Sequence, residues 1–496
     1  MYQNPLYSQS TSFNDFDSRN LSNYFSGIVA YDNKNNEEAL RFFRSSKFLI
    51  KKHDPYLKKY VHSLVLANEV RIATNEIKQN LRENNSKFFE AYLILSLDSL
   101  MKKNFENSRN YLNKSYKYIE NNRIALIIYE SLKEYLDTFQ YKKISNKKKK
   151  FGNLSFINEV FQRCYLQDEN IDNYFKQLIN SDNDMDYSRY TFFYIHHLVQ
   201  NNKLIEAKQI ADDINILGSS LLVSQGKSWI KDKKLDEFSK IFSCQESSDI
   251  AGEFFYLIAN LYTSQNDHKN SNFYLNISQY LNPKFKFNLT LLAENYYANN
   301  NLKKAQKILD HFDQKDDLYY WFKLKKQAQI IEKKNSNEEG LKFINENFKK
   351  INDPSIKMIF DIANFHKNVK RYKKAIIYYD KVISKIEVGS SLYAEILYRR
   401  GSAYERLGDH INSDKDLLKS LEINPEDAYV LNYLAYSWLE RDYKIDVAIE
   451  MLEKAYKARS NDPYIIDSIG WAYYLIDDFS KAEEFLKRAV ELMPED

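Results

Sequence analysis

The stretch that decides the fold is IIDSIGWAYYLIDDFSKAEEFLKRAVELMPED, residues 465–496. Two segments before it have the same layout: ILYRRGSAYERLGDHINSDKDLLKSLEINPED at 396–427 and LNYLAYSWLERDYKIDVAIEMLEKAYKARSND at 431–462. The layout therefore returns every 34 or 35 residues. A period of about 34 residues with small residues at two fixed places is typical of stacked helix-turn-helix units. We therefore predict an array of paired helices, which offers a long surface rather than a catalytic pocket.

The small residues of the repeat indicate where two helices approach closely. In the last unit these are Gly470 on the first helix and Ala482 on the second. A large side chain at either place would clash in a close-packed interior. The first helix has its expected core stripe at Ile466, Ile469 and Tyr473. The facing stripe on the second helix is expected at Ala482, Leu486, Ala489 and Val490.

Composition favours a helical protein of more than one domain's length. The chain has 496 residues with only 10 Gly and 7 Pro, so turns are few. Its 72 basic and 68 acidic residues leave a net charge of +4. This near balance predicts no specific nucleic-acid binding and no general attraction to an anionic membrane.

The quality of the repeats divides the chain into four expected segments. Residues 1–19 form a polar N-terminal tail, and residues 20–118 contain N-terminal repeats. Residues 119–251 contain degenerate helical repeats with a lysine-rich loop near 147–150. Residues 252–496 form the C-terminal array. We expect about twelve units in total.

The cysteines and the N-terminus guide the expected location. Cys164 and Cys244 stand alone, without the spacing of a metal site or a disulfide framework, so we interpret them as two thiols in helical repeats. No apolar run reaches the roughly 18 residues of a membrane-spanning helix. The N-terminus lacks the basic and apolar parts of a secretory signal. We therefore expect a cytoplasmic protein, with the periplasm as the alternative if the start codon is misassigned.

Residues typical of catalysis or metal binding do not form a known motif. The eight histidines contain no H-E-x-x-H pattern, and the adjacent His196 and His197 point to different faces of a helix. Gly226-Lys227-Ser228 is similar to the end of a phosphate-binding loop, but Leu221 stands where that loop needs glycine. No G-x-S-x-G nucleophile elbow occurs. We predict no enzymatic activity, no metal site and no cofactor.

The repeat pattern resembles that of the tetratricopeptide repeat family. In the last unit the resemblance is carried by Ile466, Ile469, Gly470, Tyr473, Ala482, Leu486, Ala489 and Pro494. It is strong over 252–496, good over 20–118 and weaker over 119–251, and it is similar to bacterial multi-repeat members of the family. The family's leading tryptophan is aliphatic here, at Leu397, Leu431 and Ile466. The resemblance implies an all-α solenoid, a right-handed superhelix that binds peptides or proteins on its concave face.

Residues of the first helices that avoid the core stripe are the candidates for partner binding. In the last three units these residues are Glu395, Tyr398, Ser402 and Glu405; Tyr429, Asn432, Tyr436 and Leu439; and Tyr464, Asp467, Trp471 and Tyr474. Their spacing places each set on one helical face. We call eight of them the aromatic face: Tyr398, Tyr429, Asn432, Tyr436, Tyr464, Asp467, Trp471 and Tyr474. Because the chain has 40 tyrosines, the alternative is that this face is compositional and that Trp471 packs between repeats.

These features predict a non-enzymatic scaffold that binds a peptide or protein partner along the aromatic face. The family's clamp for C-terminal carboxylates implies Lys and Asn at such positions, and only Asn432 fits, so that specificity is not predicted. One alternative is a helical-repeat RNA binder. Another is the adaptor part of an enzyme or envelope assembly whose remaining section is absent. The last helix has no follower, so we also expect self-association or continuation there, with Phe485, Leu486 and Ala489 facing solvent or a neighbour.

Overall fold

The prediction of an all-α fold is confirmed. A computed structural model describes residues 18–51, 53–81, 87–144, 151–180 and 188–493. Within these residues the chain forms 27 α-helices, two short 3₁₀ helices and no strand. It divides into two compact units. Unit 1 comprises residues 1–214 and 219–313, and unit 2 comprises residues 215–218 and 314–496.

Unit 1 contains the first seventeen α-helices. They are α1 Ser18–Asp32, α2 Asn36–Ser45, α3 Asp54–Leu66, α4 Val70–Gln79, α5 Phe89–Met101, α6 Phe105–Ser115, α7 Arg123–Tyr141, α8 Asn153–Leu166, α9 Ile171–Ile179, α10 Ser188–Gln200, α11 Leu204–Asp212, α12 Leu221–Lys231, α13 Asp236–Ile241, α14 Ser247–Ser264, α15 His268–Leu281, α16 Asn288–Ala298 and α17 Leu302–Leu309. The two 3₁₀ helices, Lys47–Lys51 and Tyr116–Tyr118, also belong to this unit.

Unit 2 contains the other ten α-helices. They are α18 Asp317–Lys334, α19 Asn337–Phe348, α20 Ile356–Asn368, α21 Tyr372–Ile383, α22 Ser391–Glu405, α23 His410–Ile423, α24 Ala428–Leu439, α25 Ile445–Ala458, α26 Pro463–Leu475 and α27 Phe479–Leu492. Each forms a hairpin with its neighbour, from α18–α19 to α26–α27. Unit 1 contributes the hairpins α1–α2, α3–α4, α5–α6, α8–α9, α10–α11, α14–α15 and α16–α17. The described residues therefore contain twelve such hairpins, as the sequence predicted.

A recurring turn joins the two helices of a hairpin. A residue with positive φ ends the turn, and the next residue, Asp or Asn, caps the second helix. In the last unit Asp477 has φ 59°, and the Asp478 side chain accepts a hydrogen bond from the Lys481 backbone N–H. In the α22–α23 turn Gly408 has φ 75° and Asp409 caps α23. The same arrangement recurs at Lys34–Asn35, Lys103–Asn104, Asn266–Asp267 and Asn300–Asn301. Each such cap stabilises its helix by about 1 kcal/mol.

The predicted close approach of the paired helices is confirmed. A Cβ atom on Gly470 would lie 2.9 Å from Leu486 Cγ, and one on Gly401 would lie 3.0 Å from Leu417 Cγ. Only a residue without a side chain allows these helix axes to pack so closely. The assignment of Val490 to the core stripe is wrong, because its side chain is 61% exposed. It follows Ala489 by one residue and therefore points about 100° away from the interface.

The last helix packs more completely than the sequence predicted. Phe485 stacks on Tyr473 with 5.7 Å between the ring centroids, and it meets Tyr456 edge-on at 5.2 Å. Phe485 and Leu486 are half-buried. The expectation that Ala489 faces solvent is wrong, because this residue is buried. Its position opposite the first helix of the same hairpin explains the burial.

The interpretation of the two cysteines as separate thiols is also wrong. Cys164 on α8 and Cys244 in the turn between α13 and α14 form a disulfide. Their separation of 80 residues explains why local spacing could not reveal the bond.

Some predicted features lie outside the described residues: the lysines 147–150, Pro494, and almost all of the N-terminal tail. Among the helices that are described, none is long and apolar enough to cross a membrane.

Candidate functional site

The aromatic face is carried by three successive first helices, α22, α24 and α26. Four of its tyrosines are well exposed: Tyr429 by 45%, Tyr436 by 40%, Tyr464 by 60% and Tyr474 by 48%. Asp467 is also exposed, whereas Tyr398, Asn432 and Trp471 are half-buried. Leu439, which the helical spacing placed beside them, is instead part of the hydrophobic core. The described structure therefore leaves large aromatic side chains accessible on one side of these helices.

Polar groups of neighbouring repeats influence one another along the aromatic face. Burial raises the pKa of the Tyr436 phenol, and the nearby Glu440 and Asp467 carboxylates add to this rise. Burial likewise raises the pKa of the Tyr398 phenol. The charge of Arg399 opposes this rise, and the nearby Tyr429 adds to it. Residues of α22 and α24, and of α24 and α26, are thus close enough to interact.

Several aromatic rings of this surface hold each other in place. The Trp471 and Tyr474 rings stack with centroids 5.4 Å apart and an interplanar angle of 17°. Tyr474 in turn meets the ring of Phe479 at 5.7 Å. Tyr398 packs edge-on against Tyr433 at 5.8 Å. Offset and edge-on pairs of this kind stabilise a fixed arrangement of rings.

Two buried polar atoms of the aromatic face have no hydrogen-bond partner within the described residues. They are the side-chain oxygen Oδ1 of Asn432 and the indole nitrogen Nε1 of Trp471. The first is an acceptor and the second is a donor. A buried polar atom without a partner is costly and rare, so each such atom needs a structural or functional explanation. Trp438 Nε1 is unpaired as well, but its side chain lies in the hydrophobic core.

Three cations adjoin the aromatic face, and the sequence analysis missed them. Lys367 is on α20, Arg399 is on α22, and Arg406 directly follows α22. Burial, together with the charges of Arg399 and Arg406, lowers the pKa of the Lys367 ammonium. The three groups are therefore near one another. Arg399 also lies over the ring of Tyr398, with 5.6 Å from Cζ to the ring centroid.

Acidic groups offset part of this positive charge. Arg399 Nη2 lies 3.9 Å from Glu395 Oε1, and Arg406 Nε lies 3.6 Å from Glu405 Oε2. Glu405 also accepts a hydrogen bond from the Tyr433 hydroxyl at 3.0 Å. None of the eight positions of the aromatic face carries a cation. The sequence signal for the two arginines is that Arg399 follows Tyr398 and Arg406 follows Glu405 by one residue, and Lys367 lies on the first helix of the preceding repeat.

The described residues do not assemble a metal site. They contain no group of three or more His, Cys, Asp and Glu side chains arranged to hold a metal ion. His196, which was considered as a ligand, is buried beside Phe238 and Phe242. Burial lowers its pKa to about 4, so its ring is neutral at physiological pH.

Comparison with known sequences identifies the repeats. A tetratricopeptide repeat profile matches residues 356–384, 394–427 and 465–496, which cover most of α20–α21, α22–α23 and α26–α27. The TPR repeat-containing protein PA4667 of Pseudomonas aeruginosa is 32% identical over 119 residues. The match covers 23% of this chain and 20% of that relative, so the chain corresponds to about a fifth of the relative's length.

Two solved structures are among those that are similar to this chain. MamA from Desulfovibrio magneticus RS-1 has a TM-score of 0.28 and 20% identity, over 35% of this chain and 94% of that chain. A chain of the APC/C hetero-tetramer Cut9–Hcn1 has a TM-score of 0.35 and 12% identity, over 92% of this chain and 96% of that chain.

Proposed function

Because this chain is a tetratricopeptide repeat protein, a class whose repeats support protein interaction in general, we propose that it is a non-enzymatic scaffold. Its aromatic face binds an extended segment of a partner protein. The observation that carries this proposal is the pair of unsatisfied buried atoms, Asn432 Oδ1 and Trp471 Nε1, among exposed tyrosines.

An extended peptide has the groups that these two atoms need. Its backbone N–H groups can donate to Asn432 Oδ1, and its carbonyl oxygens can accept from Trp471 Nε1. A partner that makes both bonds removes the cost of two unpaired buried groups, which is about 1–3 kcal/mol for each group. The high tyrosine content of the chain is the alternative explanation of the aromatic face. It explains the number of tyrosines there, but it does not explain the unpaired atoms of Asn432 and Trp471.

The tyrosines supply contact area at low entropic cost. Tyr429, Tyr436, Tyr464 and Tyr474 each present a large ring with few rotatable bonds. The stack of Trp471 on Tyr474 restricts the Tyr474 ring further before any partner binds. Preorganised aromatic side chains are frequent energetic centres of protein interfaces.

The cations beside the aromatic face favour an acidic residue in the partner segment. Lys367, Arg399 and Arg406 lie close together, and among the described residues Glu395 and Glu405 are within ion-pair range of the two arginines. A partner carboxylate would relieve their mutual repulsion, which adds to burial in lowering the pKa of Lys367. We infer that the acidic residue binds at the end of the face formed by α20 and α22.

Selection of peptides from a random display library tests this function. The full chain serves as bait, and the affinities of enriched peptides are then measured by titration. The double variant Asn432→Ala/Trp471→Ala should bind the same peptides at least about tenfold more weakly, since about 1.4 kcal/mol corresponds to a factor of ten. Ile411→Ala is a matched control, because this side chain is exposed on a second helix, α23.

Each result of the selection bears on a different part of the proposal. Equal affinities for the wild type and the double variant would refute the assignment of the face. Enrichment of peptides without acidic residues, or unchanged binding by Arg399→Gln/Arg406→Gln, would refute only the inferred preference for an acidic residue. The affinity of acidic peptides should also fall as salt is added, since salt screens these charges.

A further inference from the structure

The chain's two cysteines meet across a long stretch of sequence. Cys164 lies near the end of α8, and Cys244 lies in the turn before α14. The disulfide between them links residues 80 positions apart, with a Cα–Cα distance of 5.6 Å. The sequence contains no third cysteine, so neither thiol has an alternative partner within the chain. Both residues belong to unit 1.

The surroundings of the bond are those of a folded core. Both cysteines are only 2% exposed. Phe242, two residues before Cys244, packs edge-on against Phe193 at 4.8 Å and Phe161 at 6.0 Å. The Gln245 amide donates a hydrogen bond to the backbone oxygen of Cys164 at 3.3 Å. The sulfurs therefore come together only when this turn packs on α8.

The bond lies next to two short helices that do not belong to the twelve hairpins. The preceding helices α12 and α13 have only 11 and 6 residues. They lie outside the twelve hairpins and in the part of the sequence with the most degenerate repeats. A crosslink that closes a loop of about 80 residues restricts the unfolded chain more than a short loop would. The crosslink thus ties α8 to a segment that lies outside the regular hairpins.

We propose that Cys164–Cys244 is a permanent structural disulfide, and that the chain therefore folds and acts in an oxidising compartment. The reducing thiols of the cytosol keep such pairs reduced, whereas disulfides persist in the periplasm, the secretory pathway and the extracellular space. The bond forms by thiol–disulfide exchange with a protein disulfide oxidant. The two thiols lose two electrons and two protons, the S–S bond forms, and the oxidant is reduced to its dithiol.

The competing interpretation is a redox-cycling pair. His197 Nδ1 lies 3.9 Å from Cys164 Sγ, and both cysteines line a polar cavity of about 440 Å³. A neutral imidazole next to a thiol could promote exchange. The burial of both sulfurs and the anchoring of the turn favour the structural role. The two roles differ in one respect: reduction of a structural bond destabilises the fold, and reduction of a cycling pair does not.

The first test measures the state of the thiols in the cells that naturally produce the protein. Acid quenching, followed by alkylation with a mass-tagged maleimide before or after reduction, counts the free thiols. We expect none before reduction and two after it. Two free thiols before reduction would overturn the proposal of an oxidising compartment.

The second test measures the melting temperature, Tm, of the purified full chain. Reduction should lower Tm by about 5 °C or more, and Cys164→Ala/Cys244→Ala should show a similar loss. Adding reductant to the double variant should cause no further change, which controls for effects elsewhere. If the double variant does not fold, the reduced wild type provides the comparison. Reduction in a glutathione buffer with an unchanged Tm would show a cycling pair and overturn the structural role.

Discussion

The last five hairpins of the C-terminal array, α18–α27, differ from the degenerate stretch, α7–α13, in the contacts that hold their helices together. In the array, small residues allow close helix pairs, such as Gly470 against Leu486 within one hairpin. In the degenerate stretch, aromatic clusters and specific long-range links take this role. Arg189 on α10 pairs with Glu253 on α14, and Cys164 joins Cys244. Where the repeat is degenerate, links between distant positions therefore help to hold the helices together.

The largest expected effect comes from breaking the buried ion pair of unit 1. Arg189 Nε and Nη2 donate to the two oxygens of Glu253 at 2.7 and 2.6 Å. Burial tends to lower the pKa of Arg189, but the Glu253 carboxylate outweighs it and holds that pKa above its usual value. Glu253→Gln leaves a charged guanidinium buried without its counterion. We expect the free energy of unfolding to fall by about 3–5 kcal/mol, measured by urea denaturation.

An exposed pair in the array provides the control for this variant. Glu338 and Arg371 form an ion pair on the surface of unit 2, with side chains 57% and 44% exposed. Glu338→Gln should change the free energy of unfolding by less than about 1 kcal/mol. Similar losses from the two variants would contradict the view that the degenerate stretch depends on this particular link.

The second prediction concerns the close contact of the array. Gly470→Leu should lower the free energy of unfolding by about 1–3 kcal/mol, because the added side chain overpacks the interface with Leu486. Gly218→Leu is the matched control, since a Cβ atom there meets nothing closer than 3.7 Å. Urea denaturation of both variants measures the difference. A stable Gly470→Leu variant would show that α26 and α27 can separate without loss.

The third prediction uses pH to examine the region next to the disulfide. Burial raises the pKa of Asp249 to about 6, although its carboxylate accepts a hydrogen bond from the Ser243 backbone N–H at 3.0 Å. Since the unfolded pKa is about 3.9, the folded state binds more protons between these two values. Its contribution to stability is therefore present below about pH 4 and is lost as the pH rises through 6.

Asp249→Asn should remove this pH dependence, because the amide stays neutral. The wild type should lose roughly 1–2 kcal/mol relative to the variant between pH 4 and 7. Urea denaturation of both proteins at several pH values measures this difference. A constant difference across the range would show that the site is not buried enough to shift the pKa.

The array was largely predictable, because its contacts are local. Gly470 and Leu486 lie on the two helices of one hairpin and meet there, so the repeated pattern itself encodes their contact. The predicted positions of two residues were wrong: Leu439 lies in the core instead of the exposed face, and Val490 is exposed instead of buried. Helical spacing defines directions around an axis, but only the packed neighbours decide how wide the buried stripe is.

The exposure of the tyrosines on the aromatic face was predictable, whereas the unpaired polar atoms beside them were not. The spacing of Tyr429, Tyr436 and Tyr464 identifies exposed aromatic residues on one side of successive helices. The unpaired atoms of Asn432 and Trp471 depend on what their neighbours fail to supply, which requires coordinates. The cluster of Lys367, Arg399 and Arg406 arises because stacking places adjacent repeats side by side.

The sequence by itself determined the all-α class, the period of the array and the small residues that pair its helices. These properties follow from local hydrophobic and steric patterns repeated every 34 or 35 residues. Only the tertiary structure decided that Arg189 meets Glu253 and that Cys164 meets Cys244, across 64 and 80 residues. Such partners are selected when helices stack, because stacking brings together residues that no local pattern relates.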